Sequence, residues 1–378
     1  MEAKSLEFIR RLSESFGPSG FERETAGIVK EYVAPFADEI TSDKLGSLHF
    51  AARGSAARPV IILPGHIDEI GFVISGINAQ GFLSFHTVGG WFDQVLLSQK
   101  VRIRGSKGLV FGVIAAKPPH LLPPEERSKV VTKEKMFIDI GCSNDKEAKE
   151  MGVRIGDPAA PDSAFFTIEK TVFRKPEGGG AEKDMGKTIL ACGKGFDDRI
   201  GAFVAAEVVR RLKQKRIEHA NTVIGAATVQ EEVGLRGAKT SAHVAQPDVC
   251  ITLEVDIAGD VPGIEAHEAP TKMGFGPSVL TFDSSMIPNQ SLKELVVRTA
   301  EECKIPFQLS SMGRGGTDGG AIHMANAGCP SIVISIPTRH IHSHVGILSL
   351  DDVDNCVNLV TEVVRRLDAK TVESFTAI

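Results

Sequence analysis

The segment Val60-Ile-Ile-Leu-Pro-Gly-His-Ile-Asp-Glu-Ile-Gly71 constrains the fold more than any other stretch of the chain. Val60 to Leu63 is the kind of β-branched apolar run that fills a buried strand. Pro64 and Gly65 stop it, and His66 and Asp68 follow at its C-terminal end. Ligands and chemistry collect at that end in an open α/β sheet. A His and an Asp two residues apart in extended chain share a face. The carboxylate can then hold one imidazole nitrogen while the other binds a metal. A strand-end histidine satisfied by a neighbouring carboxylate explains the pair equally well. Which reading holds depends on whether later residues supply the missing ligands.

The length of 378 residues suits about two domains. With 42% hydrophobic and 24% charged residues, the composition is that of an ordinary soluble globular protein. No apolar run reaches the roughly 18 residues of a spanning helix, and Met1 to Arg10 carries acids rather than a secretory apolar core. A net charge of −5 with mixed signs argues against nucleic acid or membrane as a partner. Six cysteines lie far apart with no C-x-x-C pair, against both a thiolate zinc site and a disulfide framework. A reduced, cytoplasmic protein is the expectation.

Helical periodicity is expected over Leu6–Phe16 and Phe21–Phe36, with short strands around Ile40 and Leu48–Ala51. From Gly71 to about Lys175 the texture changes to short strand-like runs separated by Gly-rich turns, with one helix near Lys146–Met151. This reads as a small β-rich domain inserted into an α/β domain. Within it, Lys117–Arg127 is a proline-punctuated loop, where His120 reads as solvated rather than functional. Glu177–Gly180 reads as the return linker. Strands are then expected at Thr188–Ala191, Thr222–Val229, Val249–Leu253 and Ser331–Ile336, and helices at Ile200–Leu212, Ser291–Cys303 and Val353–Leu367. The expected core is a mostly parallel sheet covered by helices.

Acids and histidines recur at the ends of these strands. Asp197-Asp198 precedes the helix at Ile200, where one of the two suffices as an N-cap. Glu231-Glu232 ends the run Thr222–Val229; adjacent acids there need a cation or a shared proton to offset their repulsion, unless the strand end is simply solvated. Glu254 and Asp256 share a face of one strand, and Arg339-His340-Ile-His342-Ser-His344 follows another. Imidazole and carboxylate without thiolate fit one or two divalent metals. A dinuclear hydrolase also needs a bridging carboxylate and a general base, and the two acidic pairs offer both.

In order and spacing, His66-Ile-Asp-Glu-Ile-Gly, Gly89-Gly-Trp, Pro118-Pro-His-Leu-Leu, Phe196-Asp-Asp-Arg, Gln230-Glu-Glu-Val-Gly, Gly259-Asp-Val-Pro-Gly, Gly315-Gly-Thr-Asp and Ile341-His-Ser run nearly end to end. The chain thereby resembles metallopeptidase family 42, which includes glutamyl aminopeptidases, the TET particles and some relatives labelled endoglucanases. The resemblance implies a zinc-peptidase-like catalytic domain (1–70 and 176–378) with an inserted PDZ-like or barrel dimerisation domain (71–175). It implies that His66 binds one metal and Asp68 orients it. Asp197 bridges two metals, with a cis bond to Asp198. Glu231 is the general base, and Glu232 and His342 are ligands. The last ligand is Glu254, six residues before Asp260, with Asp256 as runner-up.

The implied cofactors are two divalent ions per subunit, zinc or cobalt, with manganese an alternative. The implied activity is removal of N-terminal residues from peptides, and the implied assembly is dimers building a tetrahedral dodecamer. A glycoside hydrolase and a non-catalytic assembly scaffold are the competing readings. With one Trp and one Tyr, the chain lacks the aromatic platforms of sugar clefts. His340 replaces a usual Tyr and Gly346 a frequent acid; with His344, these changes bear on the pocket or add a ligand.

Overall fold

The computed structural model describes residues 1–174, 183–313 and 315–377, so the expected linker at Glu177–Gly180 lies outside the described residues. Two helices, α1 (Ala3–Glu14) and α2 (Arg23–Val33), precede strands β1 (Glu39–Ser42), β2 (Leu48–Arg53) and β3 (Val60–His66). Next come β4 (Gly71–Ile77), β5 (Leu83–Val88), β6 (Lys100–Gly105), β7 (Gly108–Ala115), β8 (Phe137–Asp139), α3 (Asp145–Glu150) and β9 (Pro158–Pro161). After β10 (Phe166–Arg174) and β11 (Lys183–Gly193) come α4 (Phe196–Gln214), β12 (Thr222–Thr228), α5 (Arg236–Ala245) and β13 (Val249–Ile257). The chain closes with β14 (Ser278–Asp283), α6 (Gln290–Glu302), β15 (Gln308–Met312), α7 (Asp318–Ile322), β16 (Ser331–Arg339), β17 (Gly346–Ser349), α8 (Leu350–Arg365) and α9 (Ala369–Ser374).

An 11-stranded sheet runs β1-β2-β12-β3-β13-β16-β17-β11-β10, with β14 and β15 attached through β16. The expectation of a mostly parallel sheet needs correction, because the sheet is mixed. Only its centre, β12-β3-β13-β16, is a continuous parallel run. The flanks return through hairpins and pair antiparallel: β1 and β2 on one side, β17, β11 and β10 on the other. The parallel centre is buried on both faces. Helix α4, buried over most of its surface, fills one face with Phe203, Val204, Val208 and Val209, while Ala238, Ala242 and Ile322 from α5 and α7 cover the other.

Strands β4-β5-β8-β7-β6-β9 close into a six-stranded barrel with its own core, which includes Phe72, Ile74, Val101, Ile103 and Ile138. Strand β10, which the sequence groups with these runs, instead pairs with β11 in the large sheet. Strand β7 alternates: Val110 and Ile114 face the barrel core, and Leu109, Phe111 and Val113 face outward and are exposed. Among the described residues no helix is long and apolar enough to cross a membrane.

Candidate metal centre

The parallel centre brings its strand ends to one edge. Thr228 of β12 pairs with His66 of β3, and Cys250 of β13 pairs with Ile62, so four residues on Glu254 comes level with His66. The start of α4 lies directly on the end of β3. A Cβ on Gly65 would stand 2.3 Å from the Ala202 nitrogen and 2.4 Å from the Gly201 carbonyl carbon, so only glycine allows that approach. The peptide bond from Asp197 to Asp198 is cis. The two acids then divide their work. Asp198 Oδ2 accepts from the His66 N–H at 3.1 Å and Oδ1 from the Gly201 N–H at 3.0 Å, tying helix to strand. Asp197 turns into the site.

Asp197 is the common neighbour of both histidines. His66 Nε2 lies 3.1 Å from its Oδ1, and His342 Nε2 lies 3.2 Å from its Oδ2. Two groups of possible ligand atoms share it: His66, Asp197 and Glu254, and Asp197, Glu232 and His342, each within 4.8 Å. The structure thus gathers all five residues expected as ligands. Asp256 stands apart, accepting a hydrogen bond from Ser278 Oγ at 2.8 Å. Glu231 belongs to neither group, yet its Oε2 is 3.7 Å from His66 Nε2.

Behind the histidines, His66 Nδ1 is 3.1 Å from the Asp68 carbonyl oxygen and 3.4 Å from its carboxylate Oδ1. The Asp68 carboxylate is engaged elsewhere as well, accepting from Ser19 Oγ and from the backbone N–H groups of Glu231 and Glu232. His342, on the loop after β16, makes a 2.7 Å contact from Nδ1 to the Gly90 carbonyl oxygen. The sequence assigns no task to Ser19 or to Gly90 of the Gly89-Gly-Trp motif: a loop serine has no distinguishing spacing, and a main-chain carbonyl has no side-chain signature at all.

Burial pushes the Glu231, Glu254 and Asp198 carboxyls well above the usual carboxylate range and the Glu232 carboxyl up to about 7. Burial also works against charge on Asp197, but its hydrogen bonds with His342 and His66 hold it below that range. Glu232 Oε1 is buried without a hydrogen-bond partner. Clustered buried carboxylates, two imidazoles and an orphaned oxygen fit divalent cations, which would offset the like charges. A cavity of about 590 Å³ opens onto His66, Glu231, Glu254 and His342, with Leu235 and Ile257 among its apolar lining.

The other flagged histidines lie outside the two donor groups. His344 is buried beside Trp91, ring centroids 5.2 Å apart, and burial pushes its pKa down to about 4. His340 and His120 are exposed.

A match to the family described as M42 glutamyl aminopeptidase covers residues 46–175 and 182–359. The chain belongs to the M42 family. It is therefore an enzyme of the aminopeptidase class, a hydrolase of peptide bonds. It is similar to the solved TET aminopeptidase from the marine sediment archaeon Thaumarchaeota archaeon SCGC AB-539-E09, at 57% identity and TM-score 0.91 over 99% of each chain. The lysyl aminopeptidase of Pyrococcus furiosus is 30% identical over 96% of this chain and 97% of its own. The TET1 peptidase of Pyrococcus horikoshii, described as able to assemble into a tetrahedron or a large octahedral shell, is 29% identical with TM-score 0.80, covering 96% of this chain and 100% of that one.

Proposed function

We propose that this chain is a dinuclear metal aminopeptidase that removes N-terminal residues from peptides, with Glu231 as the general base. The observation that carries this reading is the Asp197 carboxylate shared between His66 and His342, with a second acid, Glu231, beside the site but in neither donor group. His66, Asp197 and Glu254 would hold one divalent ion, and Asp197, Glu232 and His342 the other. Zinc or cobalt suits these donors, with manganese as the alternative. When bound, the ions supply Lewis acidity toward the scissile carbonyl and acidify the attacking water.

Glu231 takes the proton from that water and returns it to the leaving amine. Burial disfavours its charged form and so raises its affinity for a proton. Asp68 orients His66 through the strand-end contacts. The 590 Å³ cavity admits the peptide terminus. Outside the site, the exposed apolar stripe Leu109, Phe111 and Val113 on the barrel supports homo-oligomeric assembly, by analogy with the TET1 particle. Free cysteines support a reducing, cytoplasmic setting.

Two measurements test the reading. A chelator should abolish cleavage of aminoacyl anilides, and zinc, cobalt or manganese should restore it. Glu231→Gln should keep its metal while kcat falls about 10²- to 10⁴-fold. Undiminished turnover in that variant would remove Glu231 from its role.

A further inference from the structure

The turn after β12 presents three successive backbone N–H groups, and each donates to a carboxylate rather than to the sheet. The Gln230 N–H donates to Glu22 Oε1 at 3.1 Å, the Glu231 N–H to Asp68 Oδ1 at 3.0 Å, and the Glu232 N–H to Asp68 Oδ2 at 3.2 Å. Gln230 has a φ of +56°, a left-handed conformation unusual for a residue with a side chain, so outside ties are needed to hold it. Downstream the turn is fixed by its run into α5, where the Gly234 and Leu235 N–H groups donate to the Glu231 carbonyl oxygen. Upstream the two carboxylates do that work.

Both upstream ties lead back to the loop joining α1 and α2. Ser19 Oγ donates to Asp68 Oδ2 at 2.6 Å, and Glu22 Oε1 also accepts from the Gly20 N–H at 2.6 Å. Glu22 occupies the N-cap position of α2, yet its side chain makes no cap bond there. It is 5% exposed and has no ion pair among the described residues. Burial raises its carboxyl to about 7. A buried carboxylate without a cation costs stability, and an apolar residue would pack the position at lower cost. The loop itself is anchored. The buried Arg199 guanidinium donates to the carbonyl oxygens of Leu12, Ser15 and Gly17 at 3.0 to 3.3 Å, and Lys194 Nζ donates to that of Ser15 at 2.7 Å.

We propose that Glu22 and Ser19 are positioning residues that hold the Gln230–Glu232 turn, Glu22 directly and Ser19 through Asp68, and so fix the aim of Glu231. The proposal rests on the reading of Glu231 as general base. A misaimed base slows turnover without weakening peptide binding; a smaller folded fraction also lowers apparent kcat at unchanged KM, but it lowers bound metal in the same proportion. Glu22→Ala therefore lowers kcat about tenfold to a hundredfold while KM stays within about threefold. Metal content, measured on the same sample, stays at the wild-type level. Glu22→Gln recovers most of the loss, because its amide oxygen can still accept from the Gln230 N–H. Ser19→Ala gives a smaller loss of the same kind.

Amide hydrogen exchange across residues 229–235 of the metal-loaded, substrate-free protein supplies a second readout. It quickens about tenfold or more in Glu22→Ala and returns toward wild type in Glu22→Gln. The proposal is overturned if Glu22→Ala matches the wild type in both kcat and exchange, or if Glu22→Gln recovers neither. A wild-type protein without aminopeptidase activity would instead overturn the function proposed above, and the exchange result would then decide the positioning claim alone.

Discussion

His66 and His342 meet the same carboxylate through the same ring nitrogen, at 3.1 and 3.2 Å, but the molecule supports them in opposite ways. The His66 side chain is 2% exposed and sits at the end of a central strand whose register also brings up Thr228 and Glu254. The His342 side chain is 38% exposed, stands on a loop at φ +54°, and leans on the Gly90 carbonyl from the segment after β5. One half of the site is a by-product of forming the sheet. The other exists only when a loop and a segment adjoining the barrel come together. The two halves should therefore fail differently.

The largest effect belongs to the residue they share. Asp197→Asn should lower turnover about a thousandfold or more, beyond either histidine change, because it weakens both halves at once. Metal titration of the histidine variants tests the asymmetry itself. His66→Ala should weaken metal binding about a hundredfold and cost the metal-free fold about 3 kcal/mol, since it leaves buried carboxylates without their partner. His342→Ala should weaken binding about tenfold and leave the denaturation midpoint nearly unmoved. Equal losses would break the comparison.

Two glycines sharpen it further. A Cβ at Gly65 meets backbone that cannot yield, so Gly65→Ala should cost about 3 kcal/mol in a denaturant titration. A Cβ at Gly90 meets the His342 ring at 3.0 and 3.1 Å, and that ring can shift. Gly90→Ala should leave stability alone and reduce kcat/KM about threefold to tenfold.

The effect furthest from the chemistry is one of pH. Burial keeps His344, in the same loop as His342, neutral in the fold down to about pH 4, whereas the unfolded chain protonates it near its ordinary value of 6.5. Between those values the unfolded state binds the extra proton, so stability falls as the pH drops through that window, by at most about 3 kcal/mol. His344→Phe should flatten that part of the stability profile; an unchanged slope would mean that the ring is solvated in the fold.

The same contrast explains what could be read from the sequence. His66, Asp197, Glu231 and Glu254 were legible because an apolar run that ends in polar residues marks both a strand and its functional end. His342 was legible as part of a histidine-rich stretch, but its support was not, because a carbonyl oxygen contributed by Gly90 leaves no side-chain signature. Ser19 lies between the two expected helices and Glu22 at the start of the second, and nothing in the sequence marks either as buried; both are buried in the structure, next to the loop that Arg199 ties down through the Ser15 and Gly17 carbonyls. The sheet was misjudged at its edges. Periodicity marks β10 and β11 as strands but does not say which neighbour each will pair with, or in which direction, and it leaves the four-residue β17 unmarked. Asp318, at the end of Gly315-Gly-Thr-Asp, was visible as a motif without an assigned task; its carboxylate receives the Thr228 hydroxyl at 2.5 Å, beneath the strand that leads to Glu231.

The tryptophan next to Gly90 has a practical consequence. Trp91 is the only tryptophan in the chain, it is stacked on Phe72 at 4.9 Å, and its indole N–H donates to the Gly71 carbonyl oxygen at 3.0 Å. Its neighbour in sequence supports His342, and its neighbour in space is His344. Indole fluorescence from this enzyme thus arises at a single point, beside the looser half of the site. Docking of the His342 loop can be followed optically on the unmodified chain, without a label and without a substrate.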